Sequence, residues 1–571
     1  MTSWIMTSLS KFRTPIVLVP EAILLFFLLR LDPDPYHDGF MYAGAIAVQD
    51  GLLPNKNFLT PYGPVGPILQ GAWLKITSGA VLDLRILNLL LIMAIGYLLQ
   101  RNIKPYSNYT VALLFNLTWV FTLAGRMPWP SIISTFFILL ILTIIRENLA
   151  EFSSDKKSNH MYIYFVICLL YLSVFTRIQL ALNILIFTLF ILVKRKTLSP
   201  NLYRVWFQGN ILFASLSLVL LQSFGVLPGF VEQVIKWSSE TYGPVNVDLA
   251  FIVSLFWFPF ASIFAILIFG CAYFLCLKYN SMGKYLVIFL SFLLFSLSVY
   301  SSNLQREGLL SLRNPRVFLI DSSRVILNFI GYSVVSIAVL FLLFSSNRFI
   351  RSLFWDQSNV QQTNFNFLLL LVANVTIFQL YPLHDGIHVW FISPLLIFPI
   401  VIFVAQLPFF NQKVLFSSVN CVLLILLCAL FARSGLELAK PREYFQSSSL
   451  KGMVGSHKSV FDLDRRMNAL DELEPKRMLR NYCSAGLFAV SDRRFNSIDG
   501  IFAVYEQPER ISWYPVIDPK PYKPKYIFSC NLTAKEAEAI RMSGAQILFD
   551  SNLAGSYSPK ISYDLLYVSE K

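Results

Sequence analysis

The stretch LRILNLLLIMAIGYLLQ, Leu84–Gln100, is almost wholly apolar and is followed at once by Arg101 and Lys104. Its length falls within the roughly 17–25 residues that a helix uses to cross a bilayer's hydrocarbon core. It is one of many such runs. Apolar windows of roughly 16 to 25 residues recur along the chain, and about thirteen of them qualify as spans. They lie near 14–30, 84–100, 108–125, 129–146, 161–176, 179–193, 207–226, 250–277, 285–300, 325–345, 366–381, 389–407 and 414–432. Of the 571 residues, 56% are hydrophobic and 14% charged, whereas an ordinary soluble chain is about a quarter charged. This excludes a single soluble core. An outer-membrane barrel would show short alternating segments, and the chain has none. The expected fold is an all-α polytopic membrane protein.

The excess of 47 Lys+Arg over 33 Asp+Glu gives a net charge of +14. These charges sit at the ends of apolar runs, where they anchor loops and meet anionic lipid. No basic stripe with interleaved aromatics is present, so nucleic acid is excluded as a partner. With the N-terminus inside, about sixteen basic residues fall in short cytoplasmic loops and about eleven in the longer opposite loops, as the positive-inside rule prefers. The first run is read as a retained helix: Asp32-Pro33-Asp34-Pro35 follows it, with no small-residue cleavage site. An odd number of spans then places the C-terminus outside.

Beyond residue 432 the composition changes, with 20 Lys+Arg and 17 Asp+Glu over 433–571. That length suits one extracytoplasmic domain. Tyr526–Ser529 reads as a strand, and Thr533 with Glu536 forms a capping box that opens a helix stopped near Gly544. Gln546–Asp550 reads as a second strand. The pattern predicts a small α/β domain in which Cys483 and Cys530 are the only cysteines, placed where they can pair. The two expected domains are thus 1–432, with its outer loop at 31–82, and 433–571.

Three outer segments carry polar groups in unusual density. In Asp32-Pro33-Asp34-Pro35-Tyr36-His37-Asp38-Gly39 an acidic cluster sits between a span and a short apolar helix. Partial desolvation there raises a carboxylate toward a useful base; the alternative is that Asp34 or Asp38 caps the helix. Ala43, Ile46, Ala47 and Val48 make one interfacial helix face, and Val65–Ile76 makes another, broken at Gly66-Pro67. The second segment, Tyr381-Pro382-Leu383-His384-Asp385-Gly386-Ile387-His388, lacks a third metal ligand at helical spacing. It suits hydrogen bonding to a phosphate or a sugar hydroxyl, or is a plain polar turn. The third holds Arg306, Arg313, Arg316 and Arg324, on the side that positive charge avoids. Guanidinium groups grip phosphates bidentately, so an anionic headgroup or ordinary phospholipid is the expected contact. Arg177 in Phe175-Thr176-Arg177-Ile178-Gln179 reads the same way. Arg126 is expected to snorkel, and Glu21 within the first run to face protein.

The run Asp38-Gly39-Phe40-Met41-Tyr42-Ala43, Gly51-Leu52-Leu53-Pro54, Asn57-Phe58 and Tyr62-Gly63-Pro64 resembles the first outer loop of the GT-C superfamily of polytopic glycosyltransferases. Trp129-Pro130-Ser131 and the Tyr381…His388 turn look like bacterial members of its protein-mannosyltransferase-like branch, families 39 and 83. Two departures stand out: His37-Asp38 replaces an acidic pair, and Asn55 follows Pro54 where Tyr is usual. The resemblance implies transfer of a sugar, with inversion, from a polyprenyl-phosphate donor to an envelope glycan or glycolipid at the bacterial inner membrane. It implies Asp38 as general base with Asp34 second. Arg306, Arg313, Arg316, Arg324 and Arg177 form the phosphate-binding pool, and His37, Tyr42, Tyr62, His384, Asp385 and His388 line the cavity. No obligatory cofactor is implied and no metal is assigned. The main rival is a transporter or flippase of a lipid-linked saccharide, which should carry midplane charges and related halves; Glu21 is the one such charge.

Overall fold

The computed structural model describes residues 19–34, 37–58, 60, 62–107, 109–123, 125–148, 159–193, 200–237, 368–369, 372, 376, 390–395, 397–398, 401, 412–471, 479–482, 526–532, 534–554 and 561–568. The helices are α1 (Val19–Leu29), α2 (His37–Gln49), α3 (Val65–Ile76), α4 (Val81–Ile103), α5 (Tyr109–Thr122), α6 (Pro130–Glu147), α7 (Asn159–Val174), α8 (Ala181–Val193), α9 (Pro200–Ser223) and α10 (Gln412–Leu438). Eight of the predicted spans coincide with α1 and α4–α10. The runs 250–277, 285–300 and 325–345 lie outside the described residues, as does most of 366–381 and 389–407. Among the described residues, Val81–Tyr106, Pro130–Glu147 and Asn201–Ser223 are helices long and apolar enough to cross a membrane, with four shorter apolar helices beside them.

Local chemistry sets the helix starts. At α4, the Asp83 carboxylate reaches back to accept from the Ala80 N–H at 2.9 Å and from Ser78 Oγ at 2.7 Å, which satisfies a donor the helix itself leaves unpaired. Pro130 occupies the first position of α6, where its missing N–H costs nothing. The same reasoning corrects the expectation for Val65–Ile76: this is one unbroken helix, because Pro67 lies in its first turn. The helix α2 is packed into the protein on most of its surface. Residues Asp38 to Ile46 are all buried, and α2 packs along α3. Gly71 allows that approach, since a Cβ there would sit 2.5 Å from the Val48 Cβ.

In the bundle, α4 packs on α5 and α6, α6 on α7, α7 on α9, and α10 on α5. One continuous apolar core runs through them. Trp119 of α5 and Trp390 stack at 5.1 Å, and each indole N–H donates to the other's backbone carbonyl, at 3.1 and 2.9 Å.

The loops sort into two ends. At one end, the loop 31–64 meets the turn at 175–177, the segment 224–233 and the chain at 442–456. At the other, Arg101 of α4 bonds Glu147 of α6 at 2.5 and 2.8 Å, and Arg146 donates to the Arg101 carbonyl at 2.7 Å.

After α10, the short strands β1 (Glu443–Tyr444) and β2 (Val454–Gly455) pair antiparallel, and α11 (His457–Asp471) follows. Strands β3 (Leu479–Tyr482), β4 (Tyr526–Leu532), β5 (Gln546–Ala554) and β6 (Ile561–Val568) form a sheet in the order β3-β4-β6-β5. Both β4 and β5 pair antiparallel with β6, so they run parallel to each other. The predicted strand–helix–strand unit is therefore there, with α12 (Ala534–Met542) against β4 and β6, but β6 is inserted between its two strands. Gly544 ends α12 at φ +79°, as expected of a C-terminal glycine. Thr533 and Cys483 lie outside the described residues.

Candidate active site

The end of α1 organises the site. Its last carbonyls form the negative pole of the helix, and two arginines close it. Arg85 Nη1 donates to the Leu29 and Leu31 carbonyls at 2.5 and 2.7 Å, and its Nη2 to the Asp32 carbonyl at 3.2 Å. Arg126 Nη1 donates to the carbonyls of Leu31 and of Asp32, the latter at 3.1 Å. Arg126 thus caps a helix instead of snorkelling. Burial, and then the charge of Arg85, lower its pKa to about 10 against the pull of Asp38 and Asp32; it remains a cation at neutral pH.

Arg85 also pairs with Asp38. Its Nη2 bonds Asp38 Oδ2, and both side chains are buried, 0% and 2% exposed. Asp38 Oδ2 further accepts from the Asp34 N–H at 2.8 Å. Asp34 Oδ1 in turn accepts from the His37 N–H at 3.2 Å, so Asp34 caps α2. The two carboxylates at this loop are therefore unequal: Asp38 is locked inside an ion pair, whereas Asp34 is 49% exposed. Asp34 Oδ2 lies 2.6 Å from His37 Nδ1, and the imidazole is 40% exposed.

Trp129, at the start of α6, joins this loop to the next cation. The His37 ring stands edge-on to Trp129 at 5.6 Å, and Tyr62 does so at 6.2 Å. The Arg177 guanidinium lies over the Tyr62 ring at 5.9 Å, and its Nη1 bonds Ser131 Oγ. Arg177 is buried, and among the described residues its Nε has no partner and no carboxylate pairs with it. Burial lowers its pKa, with Tyr62 acting the other way. Gly63 makes this contact between loop and turn: its N–H bonds the Thr176 carbonyl at 3.3 Å, and a Cβ would sit 1.9 Å from the Phe175 oxygen. A cavity of about 20 Å³, room for a single water, lies beside Tyr62, Thr60 and Gln70.

No family model and no curated protein matches the chain. Solved structures do. The chain is similar to ArnT from Cupriavidus metallidurans bound to undecaprenyl phosphate, at 10% identity over 97% of this chain and 98% of that one, with a TM-score of 0.41. The same protein in the apo state gives 9% identity, the same coverage and a TM-score of 0.41. The oligosaccharyltransferase from Archaeoglobus fulgidus, in a complex with Zn and sulfate, gives 14% identity over 95% of this chain and 72% of that one, with a TM-score of 0.43.

Of the residues singled out in the sequence, the structure brings together Asp34, His37, Asp38, Tyr62 and Arg177. Tyr42 lies apart, its hydroxyl donating to the Gly79 carbonyl at 2.6 Å. Arg306, Arg313, Arg316, Arg324, His384, Asp385 and His388 lie outside the described residues. Glu21 is buried, and neither carboxylate oxygen has a partner among the described residues. Asn55, the departure from the usual Tyr, has φ +60° and donates to the Thr60 carbonyl at 2.9 Å and to Gln233 Oε1 at 3.1 Å. An asparagine tolerates that left-handed turn far better than a tyrosine. Arg85 and Arg442 escaped the sequence reading. The signal for Arg85 was a charged residue one turn inside a span, where only a buried partner makes it tolerable.

Proposed function

We propose that the chain is a membrane glycosyltransferase that moves a sugar from a polyprenyl-phosphate donor to an acceptor outside the membrane, with inversion. The observation that carries this reading is Arg177, a buried guanidinium lacking a carboxylate among the described residues. A buried cation costs several kcal/mol, on the order of the penalty for any desolvated ion, unless an anion compensates it. A donor phosphate is the anion that the first-loop resemblance supplies. The leaving phosphate gains charge as the glycosidic bond breaks, and a fixed cation stabilises it most at that moment. Arg306, Arg313, Arg316 and Arg324 remain candidates for further phosphate contacts.

The acceptor hydroxyl must lose its proton as it attacks the anomeric carbon. Asp38 is poorly placed for this, because Arg85 already holds its carboxylate. The exposed end of the loop, Asp34 with His37, is better placed. The proposed setting is the bacterial inner membrane, with the loop 31–64 and the tail on the outer side.

The test is transfer from radiolabelled polyprenyl-phosphate sugars to crude envelope acceptor by the protein in nanodiscs. Transfer by wild type, with donor binding lost in Arg177→Gln, supports the reading. Donor binding without transfer favours a carrier of lipid-linked saccharide, and undiminished donor binding by the variant removes Arg177 from the site.

A further inference from the structure

We propose that the general base is His37, oriented by Asp34, and not a carboxylate. This rests on the glycosyltransferase reading above. The geometry is that of a histidine–aspartate pair: Asp34 Oδ2 stands 2.6 Å from His37 Nδ1, both groups are about half exposed, and the imidazole edge abuts Trp129. A carboxylate bonded to Nδ1 keeps the proton on that nitrogen and presents Nε2 as the basic one. In the transfer step the acceptor O–H proton passes to Nε2, the acceptor oxygen bonds the anomeric carbon, and the bond from that carbon to the phosphate oxygen breaks. The electron pair leaves on polyprenyl phosphate, beside Arg177. Asp34 stabilises the imidazolium and acts as a positioning residue. Two nearby charges already neutralise each other, since Asp38 on the same helix pairs with Arg85 from α4. Among the described residues, Tyr62 faces the same Trp129 ring, and Arg126 lies beside the Arg85–Asp38 pair. The arrangement also explains why a histidine serves where the resembling proteins carry an acidic residue: the acid lies three residues upstream, on the cap of α2.

The experiment measures kcat/KM against pH, and donor binding separately, for wild type, His37→Gln, His37→Ala and Asp34→Asn in nanodiscs. Asparagine caps a helix as well as aspartate does, so Asp34→Asn removes the charge and keeps α2. The expected wild-type profile has its acid limb in the imidazole range, not in the carboxylate range of about 4. His37→Gln loses roughly 10²- to 10⁴-fold in transfer while binding donor normally. Added imidazole restores part of the transfer in His37→Ala, and Asp34→Asn moves the acid limb to lower pH. A limb near 4 that persists in His37→Gln, or no rescue by imidazole, overturns the pair and leaves sugar transfer standing. Donor bound by wild type with no transfer at any pH overturns both.

Discussion

Arg85 and Arg177 are both buried guanidinium groups, and their different company sets opposite expectations. Arg85 holds Asp38 and three backbone carbonyls. Replacing one partner of such a pair strands the other charge inside the protein, at a cost of about 3–5 kcal/mol. Arg85→Met and Asp38→Ala should therefore lower the unfolding midpoint in detergent, and any loss of transfer should follow the loss of folded protein. If Asp38→Ala instead keeps the wild-type midpoint and abolishes transfer, Asp38 is chemically engaged after all. Arg177 holds only Ser131 and the Tyr62 face among the described residues. Arg177→Gln removes a poorly compensated charge, so the midpoint should stay level or rise. Donor affinity should fall roughly ten- to hundredfold, the worth of one or two charge-assisted hydrogen bonds. A thermal-shift series read beside lipid-phosphate binding separates the two arginines, and a drop in both quantities for Arg177→Gln would make it a structural residue.

At the scale of elements, the segment after α10 clasps the loop after α1. Val454 pairs with Leu31, Arg30 Nε donates to the Gly452 carbonyl at 2.8 Å, and Arg442 bonds the Asp32 carboxylate, whose other oxygen accepts from the Ser456 N–H at 3.3 Å. Asp32 sits at φ +36°, a conformation that costs a non-glycine residue energy and so persists only while its surroundings hold it. Arg442→Ala should therefore speed amide exchange through 443–456 and at Asp32–Asp34, with little change in α4 to α7. Uniform exchange across the molecule would show that Arg442 stabilises everything or nothing. Such clasps mark the limit of what a sequence discloses. The spans 84–100 and 129–146 were legible because an apolar run is a local signal, and Asp34 as a cap because its donors lie within one turn. The partners Arg85 and Asp38 are 47 positions apart, and Arg442 and Asp32 are 410 apart. No local pattern joins them. Pro67 misled for a related reason: proline breaks a helix interior, but where a helix starts is settled by the turn at Pro64 before it.

The whole molecule sorts these contacts to the two ends of the helical bundle. The loop 31–64, the turn at Arg177, the segment 224–233 and the chain at 442–456 all meet at one end, while Arg101, Arg146 and Glu147 meet at the other. The chain passes between these ends in α4, α5, α6, α7, α8 and α9, and such alternation is what a bilayer imposes on successive spanning helices. The proposed orientation puts this far end, with Arg101 and Arg146, on the cytoplasmic side, where positive charge is retained. Single cysteines test this directly in a background in which the 7 native cysteines are replaced by serine. Leu52→Cys, Lys451→Cys and Lys104→Cys each place a thiol at an exposed position, the first two at the site end and the third at the opposite end. A membrane-impermeant maleimide added to intact spheroplasts should label Cys at 52 and at 451, and should reach 104 only after lysis. Labelling of 104 alone would invert the molecule. The donor site would then face the cytoplasm, and a sugar carried on polyprenyl phosphate would have to be used before it is flipped. Labelling of 52 without 451 would break the clasp between tail and loop, and with it the proposal that both lie on the outer side.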